Sequence, residues 1–260
     1  MPITAVARSC VFCGATGKLT NEHAWPRWLI NELLKPGLRP MRRWGKADAL
    51  TGPDTDSRDV TVKRACRSCN TGWMADLETL VMPILRPWIK GQAARLIYVQ
   101  QQHVAAWAVK TAMMLQYTPI RQGGTIIPSA QYTELYARKI SPPDRVEVFI
   151  GIEPSALRGA LFGIRGLAVR LVDPSPLVPR HVSYLGYEVT MIVGQLELRL
   201  LGHVSGPTDF AISEGMDLPA FRQLTKIWRP EASGGVLLPP TYRPADAAES
   251  LAETQSPGSH

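Results

Sequence analysis

The chain has 260 residues, 45% of them apolar, enough to bury one or two hydrophobic cores. No uninterrupted apolar run approaches the length of a membrane span and no targeting segment is visible, so a soluble cytoplasmic protein is the expectation. The net charge of +7 is unevenly placed: residues 1–95 carry 15 Lys/Arg against 8 Asp/Glu, whereas residues 96–260 carry 14 of each.

All four cysteines lie in the basic segment, as Cys10-Val11-Phe12-Cys13 and Cys66-Arg67-Ser68-Cys69. Four thiolates on two short turns form a tetrahedral site for zinc, which favours sulfur ligands and has no redox chemistry of its own. Disulfides are disfavoured without a secretion signal, and neither pair follows a strand and opens a helix as a thioredoxin-like redox motif does. After the first knuckle comes Asn21-Glu22-His23. Pro26 suits a first helical turn, and Trp28, Leu29 and Leu33 recur at helical spacing until Pro36-Gly37. Residues 36–58 are rich in Pro, Gly and Asp and are expected to be an inserted loop. Asp59 to Lys63 alternates polar and apolar, as a short strand delivering the second knuckle would. From Asn70 the residues Trp73, Leu77, Leu80, Val81 and Leu85 predict a helix, which Pro83 should end or kink. The segment is thus a β-β-α unit with a long loop between its strands.

The rest of the chain has a different texture. Residues 102–117 predict a mostly buried helix in which Lys110 is the one charged residue, and Met113 and Met114 read as core filler. Strands are expected at 145–152, 160–172, 183–193 and 195–202, with Gly194 turning the last two into a hairpin. A short helix is expected within 218–226, and from Arg243 onward the composition predicts disorder. His103, His181 and His203 have no second ligand at a recognisable spacing and are expected to be structural or exposed.

The combination of Cys10-x-x-Cys13, the acidic-plus-His pair Glu22-His23, and Cys66-x-x-Cys69 followed at once by Asn70 resembles the HNH endonucleases of the zinc-knuckle ββα-metal type. The resemblance covers residues 8 to about 80. It implies an N-terminal zinc-stabilised ββα-metal module over residues 1–95; with the strand and helix patterns that follow, the expectation is an α+β protein whose second part is a mixed, mainly antiparallel α+β domain over 96–242, with a tail over 243–260. It further implies a metal-dependent endonuclease that hydrolyses phosphodiester bonds of nucleic acid, with DNA the first expectation. By the same resemblance Glu22 and Asn70 are ligands of a catalytic divalent cation, Mg²⁺ foremost, and His23 is the general base; structural zinc sits on Cys10, Cys13, Cys66 and Cys69.

The chemistry agrees with those residue types. A divalent cation held by few protein ligands keeps positions open for phosphate and water. A neutral imidazole, which ordinarily titrates at about 6.5, accepts a proton at ordinary pH. Basic residues are the expected phosphate contacts, since cation neutralisation dominates non-specific nucleic-acid binding. Arg42 and Arg43 from the intervening loop, with Lys63, Arg64 and Arg67 around the second knuckle, are the candidates. One member of the family pattern is missing: between His23 and Cys66 the only Asn is Asn31, inside a predicted helix. That absence favours the alternative reading, a non-catalytic zinc-stabilised nucleic-acid-binding or protein-interaction module.

Overall fold

Alternating and helical-period stretches fold as separate layers around one long helix. The computed structural model describes residues 9–33, 42–43, 60–92, 94–118, 125–152, 160–168, 184–203, 224–228 and 236–238. The first layer holds β1 (Leu19–His23), α1 (Arg27–Leu33) and β3 (Thr61–Cys66), while the two-residue β2 (Arg42–Arg43) between α1 and β3 in the chain joins a different sheet. A three-residue helical turn, α2 (Arg67–Cys69), then leads through Asn70–Met74, where the chain kinks at the non-helical Gly72 (φ −99°, ψ −119°), into α3 (Ala75–Ile89). β1 pairs antiparallel with β3, Leu19 opposite Cys66 and His23 opposite Thr61, with an irregularity in register between Thr20 and Glu22. The β-β-α order expected from the sequence is therefore present, although β3 runs three residues beyond the predicted Lys63.

Several local expectations are corrected. Pro83 and Pro87 both lie inside α3, which runs on to Ile89. A helix-interior proline costs about 3 kcal/mol. Against this, Leu77, Val81, Leu85, Trp88 and Ile89 of the same helix are all buried, and each large side chain contributes on the order of 1.5–3 kcal/mol. Leu80, expected in the apolar stripe, is 44% exposed. Within the expected loop 36–58, Arg42 and Arg43 form a parallel strand against Leu161 and Phe162. The remainder of that loop and the tail after Arg243 lie outside the described residues.

Next come β4 (Ala94–Leu96), α4 (Tyr98–Leu115) and α5 (Ser129–Arg138). The backbone N–H of Ile97 donates to the Gln100 side chain at 3.1 Å, satisfying one of the orphan donors where α4 begins. Every residue of α4 from Val104 to Leu115 is buried. Such all-round burial demands partners on several sides. α4 touches α3 of the β-β-α unit, α5, β4, and two strands of the large sheet described next.

That sheet is six-stranded, in the order β2-β6-β7-β8-β5-β9. It is built from β5 (Val146–Ile152), β6 (Ala160–Ala168), β7 (Tyr184–Val193), β8 (Leu196–His203) and β9 (Thr225–Trp228), with β2 at one edge. β8 and β9 are the two strands that meet α4. All the sheet's pairings are antiparallel except β2 with β6. A separate antiparallel pair joins β4 to β10 (Val236–Leu238). The period-2 pattern places Val146, Val148 and Ile150 with Tyr187, Val189 and Met191 on the buried face. Between them on the opposite face Arg199 pairs with Glu197 at 2.6 Å and Glu188 at 3.5 Å, and Lys226 pairs with Glu147. The helix expected within 218–226 is overturned at its end: Thr225–Trp228 is edge strand β9, whose backbone pairs with β5. Among the described residues no helix is long and apolar enough to cross a membrane.

The β7–β8 hairpin is turned by Gly194 and Gln195, and it docks on the end of α3. Gln195 donates its N–H to the Ile89 carbonyl at 3.1 Å. Gly194 has φ +60°, and a Cβ there would lie 2.4 Å from the same carbonyl oxygen. Gly194→Ala is expected to destabilise the fold by at least about 2 kcal/mol, from left-handed strain plus the backbone clash. Chemical denaturation measures this; unchanged stability would show that the hairpin does not seat on α3 as described.

Candidate metal centre and the adjoining acidic site

The first knuckle is a tight turn in which Gly14 N–H donates to Cys10 O and Cys10 N–H to Ala15 O, both at 2.9 Å. Gly14 sits at φ +74°, the left-handed region that glycine reaches without a Cβ penalty. Val11 N–H donates to Arg64 O at 3.0 Å, which ties this turn to β3. The second knuckle begins at Cys66, the last residue of β3 and N-cap of α2, and ends at Cys69. Backbone pairing thus carries two turns that are far apart in the chain to one place.

The four sulfurs lie within 4.8 Å of one another, and all four cysteines are free. Cys13 and Cys66 Sγ are 3.6 Å apart, too far for a disulfide bond and close to the edge of about 3.8 Å that Zn–S bonds of about 2.3 Å imply for a tetrahedron. Burial and then the neighbouring sulfurs push the Cys13 and Cys69 thiols up. Burial also opposes ionisation of Cys66, but hydrogen bonds from Ser68 and the Cys69 backbone outweigh it and bring this thiol down to about 6. Four thiolates held this close together require a positive charge among them. The cluster could therefore hold a metal ion such as zinc.

Glu22 lies on β1, opposite Val62 of β3. Asn70 is the C-cap of α2, and its φ −65° and ψ −51° are helical, so the chain continues through it rather than starting a helix there. Its side chain is consequently free to cross to β1. There the amide donates to Thr20 Oγ1 at 3.1 Å and hydrogen-bonds Glu22, while Thr20 Oγ1 donates to the Ala65 carbonyl at 3.0 Å. Burial pushes the Glu22 carboxyl up to about 7; Lys110 opposes the rise, Glu78 adds to it, and the Asn70 hydrogen bond favours the ionised form. An unfolded glutamate titrates at about 4.3. With the folded value raised, this group's contribution to stability is full below about 4.3 and is lost as pH rises through about 7.

His23 is half-buried, and its Nδ1 is enclosed with no hydrogen-bond partner among the described residues. As the next residue on the strand it leaves by the opposite face from Glu22. Asn31 is exposed on α1.

The basic candidates divide between elements. Lys63, Arg64 and Arg67 are exposed on β3 and α2, and the Arg64 guanidinium lies 4.6 Å from the Tyr117 ring centre. Arg42 and Arg43 belong to β2, at the edge of the six-stranded sheet, rather than to the knuckle. Two charged residues near Glu22 were not singled out from the sequence as parts of the site: Glu78 on α3 and Lys110 on α4, which pair at 2.6 Å. The available signal was a lone lysine in an otherwise uncharged, apolar helix.

Comparisons with protein-family models, with curated proteins and with solved structures find no match to this chain.

Proposed function

We propose that the protein is a metal-dependent nuclease that hydrolyses phosphodiester bonds of nucleic acid, DNA first among the candidates, on a β-β-α unit stabilised by zinc at Cys10, Cys13, Cys66 and Cys69. The observation that carries this reading is the hydrogen-bonded meeting of Glu22 and Asn70 next to the cysteine cluster. A carboxylate and an amide oxygen are the donors that hard divalent cations take. Only two such ligands leave most positions open for phosphate and water. A cation held there would supply Lewis-acid charge to the phosphoryl oxygens and the leaving group. His23 takes a proton from the attacking water as the water oxygen bonds to phosphorus; the P–O ester bond breaks, and the departing oxygen gains a proton from solvent. Lys63, Arg64 and Arg67 are exposed cations able to neutralise the flanking phosphates.

A specific observation favours a second reading. Asn31, the only Asn between His23 and Cys66, is exposed on α1, so the HNH pattern lacks its middle member. In that case the same unit binds nucleic acid or a protein without cutting.

Nicking of supercoiled plasmid by the zinc-loaded protein, with Mg²⁺ or Mn²⁺ added or withheld, separates the two. Nicking is expected only with added cation. Because Glu22 must lose its proton to bind the ion, the cation concentration for half-maximal rate should fall as pH rises from about 6 and level off above about 7. No nicking under any of these conditions, with DNA retained, would favour the second reading.

A further inference from the structure

The basic surface around the second knuckle is not uniform. Lys63, Arg64 and Arg67 are all exposed, and among the described residues none of the three has a carboxylate partner. Among those residues Arg64 is also the one of the three held over a ring. Its guanidinium carbon lies 4.6 Å from the ring centre of Tyr117, just past the end of α4. Its backbone is fixed as well, since its carbonyl accepts from Val11 N–H. Two residues back along β3 is Val62, the register partner of Glu22.

The ring is anchored in turn. Tyr117 N–H donates to the Met114 carbonyl at 3.1 Å, and its ring centre is 6.1 Å from that of Tyr132. Tyr132 and Phe12 of the first knuckle are each 1% exposed, with ring centres 5.5 Å apart. A series of rings therefore rises from the core: Phe12, Tyr132, the half-buried Tyr117, and then Arg64 at the solvent end.

Charge neutralisation alone does not call for this arrangement. A phosphate contact needs only a cation within reach, and Lys63 and Arg67 meet that need without a ring beneath them. A planar, weakly hydrated guanidinium differs from an ammonium in that its faces stack on π-systems. With one face over Tyr117 and the residue exposed, the other face is left for a second flat group. Fixing the side chain before a ligand arrives also reduces the ordering lost on binding. In a duplex each base face is covered by its neighbours. In a single strand the faces are open, and aromatic rings or arginine planes hold them.

We propose that Arg64, positioned by Tyr117, is the stacking site for one unpaired base of single-stranded nucleic acid, while Lys63 and Arg67 neutralise phosphates of the same strand. Tyr117 thus brings the C-terminal segment, which has no net charge, into the nucleic-acid surface. The inference rests on the reading of this basic surface as one that binds nucleic acid, which the cutting and non-cutting readings share.

The test is fluorescence anisotropy with three labelled probes: a thymidine oligonucleotide, its abasic counterpart of equal charge, and a duplex of the same length. Each is titrated with the full-length, zinc-loaded chain without added divalent cation. Wild type should bind the thymidine strand about tenfold more tightly than the abasic strand, the usual worth of one stacked base. Arg64→Lys keeps the charge but not the plane. It should lose about tenfold on the thymidine strand and match wild type on the abasic one. Tyr117→Leu should lose as much, and Tyr117→Phe, which keeps the ring, should match wild type. A merely structural role for the Arg64–Tyr117 contact would weaken all three probes alike, so the abasic strand separates the two explanations. Should Tyr117→Leu fold poorly, Arg64→Lys at its exposed position still decides. Arg64→Lys within about twofold of wild type on the thymidine strand, or an equal loss on the abasic strand, overturns the proposal. If the duplex is still bound in that result, the nucleic-acid reading stands without it. If wild type binds none of the three probes, that reading fails and this inference falls with it.

Discussion

His23→Ala is expected to slow plasmid cleavage by about 10²–10⁴-fold, the usual contribution of a general base, while leaving cation affinity nearly unchanged. Glu22→Ala should fail differently. Removing the charged ligand weakens the ion itself, so raising the cation concentration should recover part of the rate. Asn70→Ala should resemble Glu22→Ala more mildly, since a neutral oxygen is the weaker partner for a hard cation. Its backbone is already helical and no cap is lost, so the helix start should survive; Thr20 loses a donor but keeps its bond to Ala65. Asn70→Asp retains an oxygen at the same place and should keep activity. Cleavage rate against cation concentration for the four variants resolves these roles. A His23→Ala protein that cuts at the wild-type rate at saturating cation would remove the general base from the mechanism.

Loss of metal from the cysteine cluster should have the largest structural effect. Zinc on four thiolates contributes on the order of 10–16 kcal/mol in small zinc modules, comparable with the whole stability of a domain. Elemental analysis should find about one zinc per chain. Chelation, or Cys66→Ser, should unfold the knuckles, and the damage should travel further. Phe12 on the first knuckle meets Trp73 edge-on at 5.3 Å and Tyr132 of α5 at a tilt at 5.5 Å, while Trp73 reaches Tyr136 at 6.4 Å. Near-ultraviolet dichroism of those aromatic residues should collapse together with metal release. A chain that stays folded and zinc-free at neutral pH would reject the cluster as a metal centre.

The same contacts change how a division at residue 95 is viewed. Charge and texture differ on its two sides, yet buried residues from Cys10 to Ile227 form one continuous cluster, with α4 in contact with both layers. A fragment ending near residue 95 would expose Trp28, Trp73 and the inner side of α3. Its binding to nucleic acid is better measured in the full chain.

What could be read from residues alone was whatever depends on spacing within a few positions. Two C-x-x-C turns predict a cluster that could hold a metal ion, because the spacing within each turn is local, and the cluster is there. Alternation along 184–193 and 196–203 marks two strands because side chains change face at every residue, and a glycine between two such runs marks the turn. What depended on the assembled structure was anything decided by a distant partner. Pro83 reads as the end or a kink of the helix, yet α3 does not end there and runs on to Ile89, with Val81, Leu85 and Trp88 buried on either side of it. Asn70 reads as the start of a helix until the turn before it supplies that start and its amide crosses to Thr20 and Glu22. Glu78 and Lys110 are 32 positions apart and carry no shared motif; they meet because α3 and α4 pack their apolar faces together, leaving each charge no closer partner than the other.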